Sequence, residues 1–81
     1  MTLLYFAWVR QKIGKSEEKM TAPVTDVAQL IAHLKSLGPH YADAFADLSR
    51  IRVAVNQHHA GLDAKLGTDD EVAFFPPVTG G

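Results

Sequence analysis

The sequence predicts an α+β domain, with one main amphipathic helix laid across one face of a small mixed sheet. Three observations predict it. Residues 26–38 carry a sustained apolar stripe at helical spacing, short alternating segments flank it on both sides, and a Pro-Pro pair closes the last of them.

Leu3 to Val9 alternates between two partly apolar sets, Leu3, Tyr5, Ala7 and Val9 against Leu4, Phe6 and Trp8. It reads as a strand covered on both faces, or covered on one and sticky on the other. Arg10 to Gly14 breaks the alternation and reads as one helical turn ended by Gly14. Glu17 to Ala22 reads as the polar second strand of a hairpin. The main helix is expected over Asp26–Gly38, where Val27, Leu30, Ile31, Leu34 and Leu37 form one continuous stripe. Thr25 or Asp26 can accept from the free N–H groups at its start, and Gln29 stands where a capping box begun at Asp26 places it. Gly38-Pro39 stops it.

Tyr41 to Leu48 predicts a short second helix with Tyr41, Phe45 and Leu48 on one side. Ile51, Val53 and Val55 alternate with Arg52 and Ala54, a half-buried strand. Asn56-Gln57 turns the chain into a poorly patterned stretch containing Leu62 and Leu66, and Gly67-Thr68-Asp69-Asp70 is a second turn. Glu71 to Phe75 is the last strand, after which Pro76-Pro77 ends ladder pairing. Val72 and Phe74 are expected under the helix, with Ala73 and Phe75 facing outward. The organisation is a domain over residues 1–75 and an extended tail over residues 76–81.

At 81 residues the chain has room for one domain. A hydrophobic share of 47% supports a core rather than disorder. Net charge is −1, without a Lys/Arg stripe, which argues against nucleic acid or an anionic membrane as partner. The absence of cysteine excludes disulfides, Cys-ligated zinc and side-chain thiol catalysis. The apolar start, Met1 to Trp8, lacks a basic region and a cleavage site and is far shorter than a membrane span. The chain therefore reads as soluble and cytoplasmic.

The tail draws the functional argument. Pro76 and Pro77 stiffen its base and project it away from the sheet. Val78 and Thr79 extend it, and Gly80 and Gly81, without side chains, suit a narrow channel. The Gly81 carboxylate is the group such a tail delivers. A carboxylate is a poor acyl donor and needs activation, most naturally as an acyl-adenylate. With no Gly-rich phosphate loop in the sequence, that activation belongs to a partner.

Other constellations carry less. His58 and His59 are adjacent, so in a strand they point to opposite faces and cannot share a metal; no metal site is expected. His33 and His40 read as exposed helix-end residues, and Asp69-Asp70-Glu71 as a polar turn. Trp8 is a packed aromatic or a partner contact. Phe75, joined by Phe6, is a partner patch beside the tail, or else is buried by a neighbouring strand or loop.

Asp70-Glu71-Val72-Ala73-Phe74-Phe75-Pro76-Pro77-Val78-Thr79-Gly80-Gly81 resembles the C-terminal signature of the small subunits of molybdopterin synthase, which are ubiquitin-like β-grasp sulfur carriers. Leu4 to Gly14 and Val53-Ala54-Val55-Asn56-Gln57 resemble the same family, so the likeness runs the length of the chain. It implies a β-grasp fold and a carrier with no cofactor of its own. An E1-like partner would consume ATP to adenylate Gly81, and sulfur transfer would leave a thiocarboxylate there. The loaded tail would enter the large synthase subunit, in an assembly of two small and two large subunits, and give sulfur to a cyclic pyranopterin precursor. Catalytic side chains would belong to the large subunit. His58-His59 and Leu62 to Gly67 depart from the family pattern, which weakens or shifts the apolar patch of the fourth-strand region. Two alternatives stay open. The thiamine-pathway sulfur carriers share the fold and the Gly-Gly end but lack the Phe-Phe-Pro-Pro run, and a ubiquitin-like protein modifier shares the first activation step.

Overall fold

In the computed structural model, which describes residues 1–77, β1 (Thr2–Tyr5) buries Leu3 and Tyr5 and turns Thr2 and Leu4 to the other face. The strand is shorter than its alternation predicts. Phe6 is still extended, but Ala7 takes φ 53°, and that left-handed step swings the chain out of the sheet into α1 (Ala7–Ile13). The expected strand to Val9 and single turn at Arg10–Gly14 are therefore one helix. Val9 and Ile13, spaced i and i+4, are its buried face, and Gly14 at φ 92° closes it with its N–H on the Arg10 carbonyl at 2.8 Å. The segment satisfies both the two-residue and the helical period, which is why periodicity misread it.

β2 (Glu17–Lys19) returns antiparallel to β1, a shorter hairpin partner than Glu17–Ala22. The main helix, α2 (Val27–Lys35), starts as its sequence predicts. Asp26 is the N-cap and accepts the Gln29 N–H at 2.8 Å, while the Gln29 side chain reaches back to the Thr25 N–H at 2.9 Å. Val27, Leu30, Ile31 and Leu34 are buried, but Leu37 is 48% exposed. The helix ends at Lys35 with Ser36 as C-cap, so Leu37 falls beyond the last turn and out of phase with the stripe. Pro39 then serves as the first residue of α3 (Pro39–Ala44), earlier and shorter than the expected Tyr41–Leu48. Phe45 just after it is fully buried, while Leu48 falls in a separate 3₁₀ turn over Leu48–Arg50.

β3 (Arg52–Val55) and β4 (His58–Ala60) form a hairpin around Asn56-Gln57, with φ of 51° and 70°. Positive φ at both central residues is the two-residue turn whose twist matches the strands. β4 was missed in the sequence because His-His-Ala has no apolar alternation. β5 (Glu71–Phe75) completes a five-stranded sheet in the order β2-β1-β5-β3-β4, with β5 parallel to β1 and antiparallel to β3. Val72 and Phe74 of β5 join Leu3, Tyr5 and Val53 under the helices, stacked on Val9, Leu30, Leu34 and Phe45. Phe74 meets Phe45 edge to face with ring centroids 5.0 Å apart. A central parallel β1–β5 pair with the helices on one face is the β-grasp arrangement.

Candidate functional site

β5 is the element that leads into Pro76-Pro77, the start of the expected tail. Flanked by β1 and β3, its far end pairs Phe75 with Arg52, and Phe6 donates its N–H to the Phe74 carbonyl at 3.1 Å. The chain leaves the sheet at Pro76-Pro77 between these neighbours. Val78, Thr79, Gly80 and Gly81, the remainder of the expected tail, lie outside the described residues.

Strand alternation assigns the sheet face turned away from the helices. It carries Leu4, Ala73, Phe75, Ala54, Arg52 and His59, because each is the partner or the second neighbour of another in the ladder. Ala54, with one methyl between β4 and β5, leaves room for the His59 and Phe75 rings to meet across β3. They pack edge to face at 5.7 Å. Phe75 is half-buried rather than open, so its two expected fates combine: it is on the outward face, and a neighbouring strand partly covers it. Phe6, one residue past the last β1–β5 pair, is carried beside it by the register and is 47% exposed. Both predicted patch residues therefore lie at the tail's base.

Trp8 belongs elsewhere. It lies half-buried on α1, with the Arg50 guanidinium 5.3 Å above its ring. His58 and His59 are both exposed on β4 and alternate across it. His40 is exposed near the start of α3 and His33 half-buried in the last turn of α2. No described helix is long and apolar enough to cross a membrane.

Two polar clusters escaped the sequence reading. Glu18, on β2, accepts from the Tyr5 and Tyr41 hydroxyls with one oxygen, both at 2.7 Å, and meets the Lys15 ammonium at 3.4 Å with the other. Burial works against its ionisation, but the two phenols and the ammonium outweigh that and hold its carboxyl below the usual range. Burial and the Glu18 carboxylate push both phenols up. The sequence signal was an inward position on β2 filled by a charge, recognisable only once register is known. The second cluster serves the tail strand. Asn56 accepts the Glu71 N–H and donates to Asp70, both at 3.0 Å, and Asp70 also accepts the Gly67 N–H at 2.7 Å. The Gly67 and Asn56 donors hold the Asp70 carboxyl low, so this acid is a turn closure that sets where β5 begins.

The geometry is thus a central strand that ends at Pro76-Pro77 beside two aromatic side chains, Phe75 and Phe6. Over residues 3–81 the sequence matches the model of the ThiS family. The chain belongs to that family. It is 39% identical to the molybdopterin synthase sulfur carrier subunit of Escherichia coli, over 98% of this chain and 96% of that one. The crystal structure of SAMP1 from Haloferax volcanii shares the fold at a TM-score of 0.77, with 26% identity, 100% of this chain covered and 98% of the other. A chain of the protein-protein complex of subunits 1 and 2 of molybdopterin-converting factor from Helicobacter pylori also shares the fold, at a TM-score of 0.67 and 22% identity, over 99% and 96% of the two chains. Family membership accounts for the β-grasp core and for a sequence that runs on past β5 to Gly81.

Proposed function

We propose that this chain is the sulfur-carrier subunit of a molybdopterin synthase, and that its working group is the carboxylate of Gly81. The observation that carries the reading is a central strand, paired on both edges, that leads through Pro76-Pro77 beside Phe75 and Phe6 into the sequence Val-Thr-Gly-Gly. Similarity to the curated carriers along nearly the whole chain supports it.

The chemistry follows from the terminus. The Gly81 carboxylate attacks the α-phosphorus of ATP in an E1-like partner, giving an acyl-adenylate and pyrophosphate. A sulfur nucleophile displaces AMP at the carbonyl carbon and leaves a thiocarboxylate. In the large subunit the thiocarboxylate sulfur attacks a carbon of the pterin precursor and displaces an oxygen leaving group. Water then cleaves the acyl C–S bond of the resulting thioester, so the sulfur stays on the pterin and the tail returns as a carboxylate. The chain contributes reach and docking. Pro76 and Pro77 stiffen the base, Val78 and Thr79 fill the channel, and Gly80 lets the backbone enter it. Phe75 and Phe6 seat on the large subunit, in an assembly of two small and two large subunits. No cofactor is bound by the chain itself.

Intact mass after incubation with the activating enzyme, ATP and a sulfur source tests this. One oxygen exchanged for sulfur at Gly81, followed by loss of that sulfur on addition of the large subunit and the pterin precursor, is the expected result. Loading without discharge there would remove the synthase assignment. A modifier would instead yield isopeptide-linked products.

A further inference from the structure

The patch at the tail's base is not purely apolar, because Arg52 stands within it. Arg52 is exposed, is the direct cross-strand partner of Phe75, and so projects from the same sheet face. Two other cations are engaged away from this face: Arg50 lies over Trp8 and Lys15 is paired with Glu18. Among the described residues Arg52 makes one long contact, 3.4 Å to the carbonyl of its neighbour Ile51, and no described carboxylate lies within ion-pair distance. Glu71 shares the face but stands four residues back along β5, about 13 Å at a rise of about 3.3 Å per residue. Glu17 and Lys19 also share it, out on the β2 edge, two strands from β5.

This arrangement has a consequence for docking. A partner that buries Phe75 also takes water from the guanidinium beside it. An arginine left unpaired in a closed interface is strongly unfavourable, and its planar fork is matched by a carboxylate. Resting on the large-subunit reading above, we infer that Arg52 is a specificity-determining residue, which selects a partner surface bearing a carboxylate opposite Phe75. Apolar contact by Phe75 and Phe6 supplies adhesion to any greasy surface. Arg52 rejects those that are neutral or basic at that point.

The test is calorimetric titration of the large synthase subunit from the same organism with the intact chain and with Arg52→Lys, Arg52→Leu and Arg52→Glu. Each variant is first checked for a native far-UV spectrum. The titrations run from about 0.1 M to about 1 M NaCl, over which the screening length falls from about 10 Å to about 3 Å. The wild type should bind less tightly as salt rises. Arg52→Glu should lose at least about tenfold at low salt and recover toward the others at high salt, as a repulsion would. Arg52→Leu should flatten the salt dependence, and Arg52→Lys should keep much of it. Equal low-salt affinity for wild type and Arg52→Glu, or for wild type and Arg52→Leu, overturns this inference while leaving the docking reading intact. Absence of any complex with the wild-type chain overturns the docking reading itself.

Discussion

Glu18 holds three parts of the molecule on one side chain: β1 through Tyr5, α3 through Tyr41 and the β2 approach through Lys15. Replacing it with Gln keeps an acceptor but removes the charge that strengthens both phenol bonds, and should cost about 1–3 kcal/mol in urea unfolding. The pH dependence has two limits. Because the folded carboxyl lies below its ordinary range, the unfolded chain binds the proton first on acidification. Glu18's contribution is complete above the ordinary glutamate value of about 4.3 and disappears as pH falls through the folded value. The phenols are raised when folded, so theirs is complete below about 10 and lost as pH rises through their folded values. A urea midpoint that declines at both limits in wild type, with the acid decline reduced in Glu18→Gln, is the expected outcome. At the β3–β4 turn, Gln57→Gly relieves a side chain held at φ 70° and should stabilise by about 0.5–1 kcal/mol. Asn56→Ala loses two hydrogen bonds to the start of β5 and should destabilise by about 1–3 kcal/mol in the same assay.

Elements differed in how openly the sequence declared them. α2 was legible to its N-cap because one stripe, one Asp and one Gln all point to the same start. β5 was legible in its faces because Val72 and Phe74 are both buried at alternate positions. α1 was hidden by Ala7, a residue with no sequence cue for φ 53°. β4 was hidden because its hydrogen bonds come from β3 while its side chains are mostly solvated. In the candidate patch, Phe6 and Phe75 could be named from strand alternation, but the His59 contact needed the β3–β4 pairing across Ala54. Arg52, read as an ordinary outward strand residue, acquires meaning only from its register with Phe75. At this scale the patch is testable by Phe75→Ala. The ring still has area to bury on docking, and aromatic burial of about 1.5–3 kcal/mol implies about tenfold or more in affinity for the large subunit, measured by calorimetry. The loss of stability should be smaller, since Phe75 is already only half-buried. Unfolding of Phe75→Ala with unchanged affinity of its folded fraction would place the ring in the core.

Across the whole molecule, stability and function are divided along the chain. Among the described residues the core cluster ends at Phe74, whereas the proposed chemistry is at Gly81. Changes at the terminus should therefore alter loading and leave melting alone, which few sites in a domain this small allow. The measurement that reaches the central claim most directly is thiocarboxylate formation by intact mass, comparing the full chain with one lacking Gly81. Deleting one extended residue withdraws the carboxylate by about 3.5 Å. A misplacement of that order costs about 100-fold or more in rate, so the shortened chain should remain unloaded while melting with the wild type. Full loading of the chain that ends at Gly80 would show that the Gly81 carboxylate is not the working group.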